Sequence, residues 1–314
     1  MPASQIASKR SPALLLVNPE AGGGRTTAYL PRVERYFAAQ AFPVEVVCTG
    51  SAGELEARAK AAIAGGRRML IAMGGDGTFQ GLANAAAGTD ALLGILPAGG
   101  GNDFAAAAGL PKDPLAAAQA LLYRPPRWMD LLRARTADGK VRLYAGGGGL
   151  GLDAEAARYA SGAFRGFPGT LRYIAAALAA LRKYAPLEVT AEFPEGEQAP
   201  LRAKVLLTAV LNTPHYGAGL RLAPEAQPDD GRLDVVMVGS LRLLELIDLL
   251  PQLAQSGNVR IPQITRVRAR RVRLSADRPA LFHGDGEILG SVPVEIEVAP
   301  RAVQILGAAA NGKS

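Results

Sequence analysis

The stretch that decides the fold runs from Met69 to Thr78 and reads MLIAMGGDGT. Its first five residues form an apolar run typical of a buried strand, and a helix is predicted from about Phe79. The turn between them consists of Gly74, Gly75, Asp76, Gly77 and Thr78. Glycine lets a backbone approach a ligand closely, and a helix start offers free N–H groups and the positive end of its dipole. This arrangement is typical of a phosphate site.

Asp76 sets a condition on that site. A carboxylate would repel a phosphate unless a cation lies between them, so the motif predicts Mg²⁺. The alternative interpretation is a tight turn in which Asp76 only caps the following helix.

Two further glycine-rich turns follow predicted strands. One spans Asn18–Arg25 and the other spans Leu96–Phe104. Three such turns at the ends of parallel strands are difficult to explain as turns alone, because ligands of open α/β sheets bind at that edge. None of them matches the Walker pattern or the G-x-G-x-x-G pattern of dinucleotide folds. The sequence therefore predicts nucleotide binding by a different scheme.

The first part of the chain alternates short apolar runs with Ala-rich helical stretches, which is the pattern of an α/β domain with a largely parallel sheet. The predicted strands are Ala13–Val17, Val44–Cys48, Met69–Met73 and Leu92–Leu96. The predicted helices are Leu30–Gln40, Ala52–Ala64, Phe79–Ala86 and Pro114–Leu122.

The pattern changes near Arg124–Arg127, and a second, β-rich domain is predicted. Its strands are Trp128–Ala134, Val141–Ala145, Leu187–Phe193, Lys204–Asn212, Leu233–Val238, Arg266–Leu274 and Val294–Val298, and its helices are Thr170–Tyr184 and Leu243–Gln255. Ala302–Leu306 is predicted to return to the first domain as a strand, and Gly307–Ser314 to be a loose tail. The domains are then 12–127, with a return strand at 302–307, and 128–300.

The composition restricts the class of partner. A net charge of +7 favours acidic partners, but aromatic residues make up only 5% and no nucleic-acid-binding motif is present, which argues against nucleic acid. Cys48 is the only cysteine, so we expect a reducing compartment and a cytoplasmic protein. No segment approaches the roughly 20 apolar residues of a membrane span, so any membrane contact is expected to be peripheral.

The glycine-rich turns, in this order and spacing, resemble the diacylglycerol kinase catalytic family, and its bacterial lipid kinase branch most of all. Sphingosine and ceramide kinases are relatives. The resemblance covers about residues 12 to 300 and continues through Asn212–Gly217, Leu222–Ala226, Asp229–Asp234 and His283–Glu287. One departure is Gly100, where the family usually has Thr.

The resemblance implies a three-layer α/β N-terminal domain like that of NAD kinases and a β-sandwich-like C-terminal domain, with ATP in the cleft between them. The implied reaction transfers a phosphoryl group from ATP, with Mg²⁺, to the hydroxyl of a diacylglycerol-like, phosphatidylglycerol-like or sphingoid lipid. An NAD kinase and a degenerate sensor of nucleotide or anionic lipid are the alternatives. The oligomeric state stays open, a homodimer included.

By motif position, the family likeness also implies site residues. The nucleotide-binding residues would be Asn18, Pro19, Gly22, Thr49, Gly74, Gly75, Asp76, Gly77, Thr78, Gly99, Gly101 and Asn102. Asp76, Asp103 and Asp130 would surround the catalytic metal, partly through water. A structural Mg²⁺ would bind the Asp230 side chain and the backbone carbonyls of Gln227 and Arg232. A polar β-turn is the alternative for that last segment.

Asp285 and Glu287 lie on a Gly-flanked turn that the resemblance makes the source of the general base. The residues do not decide which carboxylate takes the proton; we favour Glu287, with Asp285 equally indispensable. The alternative is an exposed hairpin turn, since Asp-Gly is a common turn dipeptide.

Three segments are candidates for membrane contact. On a strand, Arg266, Arg268 and Arg270 would share one face, either as a solvated edge or facing anionic headgroups. Two predicted helices carry apolar stripes, for which a core interpretation is favoured. The stripes are Leu171, Ile174, Leu178 and Leu181, flanked by Arg172, Arg182 and Lys183, and Leu243, Leu244, Leu246, Ile247, Leu250 and Leu253.

Overall fold

The computed structural model describes residues 11–152, 184–217, 219–241 and 243–309. The chain divides into two compact units, which we call unit 1 (Met1–Asp130 with Pro300–Ser314) and unit 2 (Leu131–Ala299). The mixed α/β character of the first and the sheet-rich character of the second confirm the predicted fold class. The predicted helix Thr170–Tyr184 and its apolar stripe lie outside the described residues, apart from Tyr184.

Unit 1 contains a parallel sheet with helices in the connections. Its elements are β1 (Ala13–Val17), a 3-10 helix (Ala21–Gly23), α1 (Arg25–Ala39), β2 (Val44–Cys48), α2 (Ala52–Ala64), β3 (Met69–Gly74), α3 (Asp76–Ala86), β4 (Leu92–Pro97), α4 (Asp103–Ala107) and α5 (Pro114–Tyr123). The strand order is β2-β1-β3-β4, and every neighbouring pair is parallel.

The sequence explains these elements. β1, β3 and β4 are buried along their whole length, which suits their continuous apolar runs. Helix α2 begins at the N-cap Ser51, whose hydroxyl accepts the N–H of Glu54, and α5 begins at Asp113, which accepts the N–H of Ala116. The side chains of the sheet and of α1 and α5 form one core that includes Ile71, Phe37 and Leu121.

Unit 2 is built mainly from antiparallel strands. The elements after α5 are β5 (Arg127–Arg135), β6 (Val141–Tyr144), β7 (Gly147–Gly151), β8 (Leu187–Glu192), β9 (Leu201–Leu211), β10 (His215–Tyr216), β11 (Leu220–Arg221), β12 (Leu233–Gly239), α6 (Leu243–Gln255), β13 (Ile264–Ala269), β14 (Arg271–Ala276), β15 (Leu281–Gly284), β16 (Glu287–Ser291) and β17 (Val294–Ile305). Strands β5 and β17 run through the boundary between the units.

The long strand β9 organises unit 2. Strands of this unit pair side by side in the order β16-β15-β7-β9-β8-β14-β17. Strand β9 also pairs with β12, which in turn pairs with β13. One core lies on this sheet and includes Tyr144, Val210 and Phe282. Helix α6 contributes to a second core through Leu249 and Leu253, which agrees with the core interpretation of its apolar stripe at Leu253, whereas Leu250 of the same stripe is exposed.

Several predicted boundaries were wrong. The predicted strand Arg266–Leu274 is two strands interrupted at Arg270, because β13 pairs with β12 whereas β14 pairs with β8 and β17. Helix α3 begins at Asp76 rather than near Phe79, and α1 begins at Arg25 rather than Leu30. The glycine-rich turns after β1 and β3 thus continue directly into α1 and α3.

The start of the C-terminal segment confirms the predicted return strand. Gln304 and Ile305 pair in parallel with β4, so this part of β17 extends the sheet of unit 1 as a strand. Gly307 and Ala308, predicted to lie in a loose tail, are buried, and Arg124 donates a hydrogen bond to the Gly307 carbonyl. Residues 310–314 lie outside the described part of the chain. Within the described ranges, no helix combines the length and apolarity needed to cross a bilayer.

Candidate functional site

The three predicted glycine-rich turns meet at one edge of unit 1. They follow β1, β3 and β4, which are neighbours in the parallel sheet, so their carboxyl ends lie side by side. The turns are also joined by hydrogen bonds. The N–H of Asn18 donates to the carbonyl of Met73 (3.1 Å), and its side-chain amide donates to Thr78 Oγ1 (3.3 Å).

Several of the glycines are required because these loops lie backbone to backbone. A Cβ on Gly99 would lie 2.4 Å from the Cα of Gly75. A Cβ on Gly22, whose φ is +62°, would lie 2.0 Å from the carbonyl oxygen of Ala98. Any side chain at either position would force the loops apart. At Gly100, by contrast, an added Cβ meets nothing within 4 Å, so the Thr usual in the family has space here.

The Asp76 carboxylate joins the loop after β3 to the loop after β4. Its oxygens accept the N–H groups of Asn102 (2.7 Å) and Phe104 (3.4 Å), at the start of helix α4. Asn102 itself is left-handed (φ +61°), and its side chain closes the loop on Gly99 by accepting the Gly99 N–H (3.0 Å) and donating to the Gly99 carbonyl (2.9 Å). Asp76 therefore does cap a helix, but it caps α4, which lies 26 residues further along the chain, and not α3, the helix that it begins.

Asp103 brings a second carboxylate to the same place. A Cβ built on Gly101 would lie 2.9 Å from one Asp76 carboxylate oxygen and 3.9 Å from one of Asp103. Burial raises the pKa of Asp76, although its backbone hydrogen bonds oppose the shift. Burial, and then the negative charge of Asp76, raise the pKa of Asp103 to about 7. A divalent cation would reduce the repulsion between these two carboxylates.

These two residues fit a Mg²⁺ ion. Proteins commonly bind Mg²⁺ with one or two carboxylates, and water and substrate phosphates complete the octahedron. A small cavity next to the pair is lined by Gly74, Gly75, Asp76 and Asn102, together with the stacked rings of Phe79 and Phe104.

Two predicted site residues of unit 1 have other contacts. Thr49 is buried, and its hydroxyl donates to the carbonyl of Val17 (3.3 Å). Asp130 is also buried, and one of its oxygens accepts the N–H of Arg301 (2.7 Å). Among the described residues, no three acidic, histidine or cysteine side chains are grouped closely enough to hold a metal ion. The set of Asp76, Asp103 and Asp130 that we expect around the metal, linked partly through water, therefore stays a prediction.

The predicted structural Mg²⁺ site in unit 2 does not fit a cation. One oxygen of Asp230 accepts the N–H of Arg232 (2.9 Å), and the other pairs with the guanidinium of Arg268. Gln227, expected to contribute a carbonyl, is exposed. A positive group therefore already occupies the side of Asp230 that a metal would need.

Asp285 lies in a tight turn between β15 and β16. The φ angles of Asp285 (+49°) and Gly286 (+86°) are both positive, as in the turns preferred by two-residue hairpins. The Asp285 carboxylate accepts three backbone N–H groups, from Ala145 (2.7 Å), Gly146 (2.8 Å) and Gly147 (3.2 Å). The Asp-Gly turn is thus a hairpin, but its carboxylate holds a second, glycine-rich turn between β6 and β7.

The same glycine-rich turn is held from another side by residues that sequence reasoning placed only in a motif. The side-chain amide of Asn212 donates to the Ala145 carbonyl (2.9 Å), and the Thr213 hydroxyl donates to the Gly146 carbonyl (3.3 Å). Both side chains are fully buried. Glu287 is the first residue of β16 and is partly exposed. The two candidate carboxylates therefore have different surroundings.

Comparison with known proteins identifies the family. Residues 12–134 match the family model described as the diacylglycerol kinase catalytic domain, and residues 148–307 match the YegS C-terminal NAD kinase beta sandwich-like domain. A diacylglycerol kinase of Mycobacterium tuberculosis is 32% identical over 265 residues, covering 84% of each chain. The chain belongs to the diacylglycerol kinase catalytic family.

Other comparisons agree with this membership. A probable lipid kinase YegS-like of Stenotrophomonas maltophilia is 30% identical over 278 residues, covering 85% of this chain and 87% of that protein. The fold is similar to that of a crystal structure titled as a diacylglycerol kinase from Bacillus anthracis, with a TM-score of 0.71, 20% identity, and coverage of 94% of this chain and 96% of that chain. This member of the family is thus a lipid kinase of its bacterial branch.

Sequence reasoning missed part of this lipid kinase's site. Strand β7 was not predicted because four of its five residues are glycine, which has low strand propensity. The reason for those glycines is local crowding: a Cβ on Gly148 would lie 2.4 Å from the His283 carbonyl oxygen, and one on Gly147 would lie 2.6 Å from Leu211. A glycine run next to a motif could have indicated such close packing.

Proposed function

We propose that this lipid kinase uses ATP and Mg²⁺ to transfer the γ-phosphoryl group to a lipid hydroxyl. The observation that carries the proposal is the meeting of three glycine-rich turns at the ends of β1, β3 and β4 around the paired carboxylates of Asp76 and Asp103. Phosphoryl transfer depends chiefly on positioning and on neutralising phosphate charge, which such an arrangement can supply.

The proposed nucleotide site lies in unit 1. The turns that follow β1, β3 and β4 would hold the nucleotide, and these turns contain Asn18, Pro19, Gly22, Gly74, Gly75, Gly77, Thr78, Gly99, Gly101 and Asn102. The phosphates would lie at the start of helix α3, whose first N–H groups and positive dipole end favour anions. The N–H groups of Asn18, Gly99 and Asn102 already donate to Met73, Gly74 and Asp76. Thr49 is left out because its hydroxyl is buried and already donates to a backbone carbonyl.

Asp76 and Asp103 would hold the Mg²⁺ ion. When bound, such an ion neutralises charge on the transferring phosphate. The backbone N–H bonds to Asp76 fix the position of its carboxylate, and Asp103 would complete the pair. Asp130 would act on this pair only through intervening groups, since its carboxylate binds the N–H of Arg301.

The contacts of Asp285 favour Glu287 as the proton acceptor. Three N–H groups already bind the Asp285 carboxylate, so a lipid hydroxyl would have to compete with them. Asp285 is better suited to position the turns on either side of it. Glu287 begins the strand that follows the same hairpin and is partly exposed, so it can accept a proton from a substrate.

The lipid acceptor is proposed from the relatives' names. The M. tuberculosis relative is a diacylglycerol kinase by name, which supports a diacylglycerol-like acceptor, and phosphatidylglycerol-like and sphingoid lipids are the other classes to be tested. Peripheral contact with a membrane surface would bring such a substrate to the protein.

A panel of these three lipid classes in mixed micelles, with ATP radiolabelled on its γ-phosphate, tests the proposal. We expect label in the phosphate of at least one extracted lipid, in the presence of Mg²⁺ and not in EDTA. The Asp103→Asn variant should lose the transfer, and Asp90→Asn, at an exposed aspartate of the same unit, should keep it. ATP binding without transfer to any lipid class would contradict the proposal and favour a nucleotide sensor.

A further inference from the structure

The loop before β12 concentrates negative charge. Burial raises the pKa of the Asp234 carboxyl to about 6, the carboxylates of Asp230 and Glu225 add to the rise, and the Arg268 guanidinium opposes it. These acidic groups therefore lie near one another, in a segment that includes a left-handed Gly231 (φ +71°). A loop of this kind needs a positive group to hold it together.

Arg268 supplies that positive group from β13. Its guanidinium pairs with one carboxylate oxygen of Asp230, and its Nε lies 3.6 Å from a carboxylate oxygen of Asp234. One side chain thus bridges the two aspartates on either side of Gly231 and Arg232. A planar guanidinium with several fixed N–H donors suits such a bridge better than a point charge does.

Arg266 and Arg270, the other two arginines of the predicted row, contact other segments. The Arg266 guanidinium donates to the carbonyls of Leu222 (2.7 Å), Val259 (2.6 Å) and Gly257 (3.2 Å). Burial lowers its pKa, and the carboxylate of Glu225 opposes the shift.

Arg270 lies outside β13, and its N–H donates to Glu197 (2.7 Å). Glu197 also accepts a hydrogen bond from the Arg232 guanidinium (2.6 Å). Of the row predicted to share one face, either solvated or against headgroups, Arg266 and Arg268 are therefore directed at internal partners, whereas the Arg270 side chain is 63% exposed.

We infer that Arg268 takes the place of a metal ion in this loop, so that residues 225–234 are held by a fixed internal cation and do not bind Mg²⁺ or Ca²⁺. A bound cation would have to displace the guanidinium from Asp230 and would then lie next to a positive charge. The cation dependence of phosphoryl transfer in this lipid kinase consequently reports only on the site at Asp76 and Asp103.

Hydrogen–deuterium exchange of the full-length protein tests the inference, because it measures the loop separately from the nucleotide site. In the wild type, exchange of peptides covering residues 223–235 should be the same in EDTA and in millimolar Mg²⁺ or Ca²⁺. Slower exchange of these peptides on addition of either ion to the wild type would overturn the inference. This comparison needs no variant and does not depend on lipid phosphorylation.

The variant Arg268→Gln provides the second test. Because it leaves Asp230 and Asp234 without their bridging charge, exchange in the same peptides should rise about tenfold in EDTA. Arg273→Gln is the matched control, since Arg273 is an exposed arginine on the next strand, and it should leave the loop unchanged. Equal exchange in Arg268→Gln and the wild type would show that the arginine does not hold the loop.

Discussion

The Asp76–Asp103 pair predicts an unusual gain of stability on substitution. Asp103→Asn removes one negative charge and keeps the size of the side chain. The pKa of Asp103 is raised from 3.8 to about 7 by burial and by Asp76. Folding of the wild type without metal therefore takes up a proton. Its free energy of unfolding falls as the pH rises between the two pKa values, and the loss is complete above about pH 7. The shift in pKa corresponds to a loss of at most about 4 kcal/mol in the free energy of unfolding.

Urea unfolding in EDTA measures this cost. Trp128 is the only tryptophan of the chain and lies in unit 1, so its fluorescence follows the unit that carries the pair. At about pH 8 we expect Asp103→Asn to be more stable than the wild type by a few kcal/mol, and the gain to shrink toward about pH 5. Mg²⁺ should stabilise the wild type more than the variant, and the exposed Asp90→Asn should show no gain. A variant that is no more stable than the wild type at about pH 8 would refute the proposed repulsion.

Three further predictions concern the remaining site residues. Glu287→Gln and Asp285→Asn should each lower kcat at least ~100-fold, and Asp285→Asn should also lower the urea midpoint, since its amide keeps one acceptor oxygen but turns an N–H donor toward the backbone N–H groups of residues 145–147. Near-native turnover of Glu287→Gln would exclude it as the base. Gly100→Thr should stay within about 0.5 kcal/mol of wild-type stability, because an added Cβ at Gly100 meets nothing within 4 Å. Gly99→Ala should lose about 1–3 kcal/mol, because its Cβ would lie 2.4 Å from the Cα of Gly75. Equal urea midpoints for the two variants would be inconsistent with the packed loops. Thr49→Val should leave the Kd for ATP within about twofold while lowering stability by ~1 kcal/mol, and a tenfold weaker Kd would show that the hydroxyl reaches the nucleotide.

The sequence predicts the strands of unit 1 well. β1, β3 and β4 are buried along their whole length and so form continuous apolar runs, whereas β2 is partly exposed and contains three valines, which favour strands. Ala13–Val17 and Val44–Cys48 have the same bounds in the structure, and Met69–Met73 is one residue short of β3. The glycine turns follow from the same pattern, because they lie where those runs end. Local sequence is enough to place these turns at one edge of a parallel sheet.

The contacts of the site residues could not be predicted in this way. Asp76 caps a helix 26 residues further along the chain, and Asp285 binds a turn about 140 residues earlier, so neither contact follows from local pattern. Thr49 follows a strand as predicted, but the direction of its side chain depends on packing against Val17. Arg268 belongs to a charge row that looks solvated until the position of Asp230 is known.

Phosphoryl transfer by matched variants tests the central claim most directly. With γ-labelled ATP and the best lipid acceptor, the wild type should place label in the lipid phosphate in Mg²⁺ and not in EDTA. Asp103→Asn should fail although it folds more stably without metal, and Glu287→Gln should bind ATP normally but transfer at least ~100-fold more slowly. Undiminished lipid labelling in EDTA, or by both variants in Mg²⁺, would contradict a metal-dependent kinase site built on Asp76 and Asp103 with Glu287 as its base.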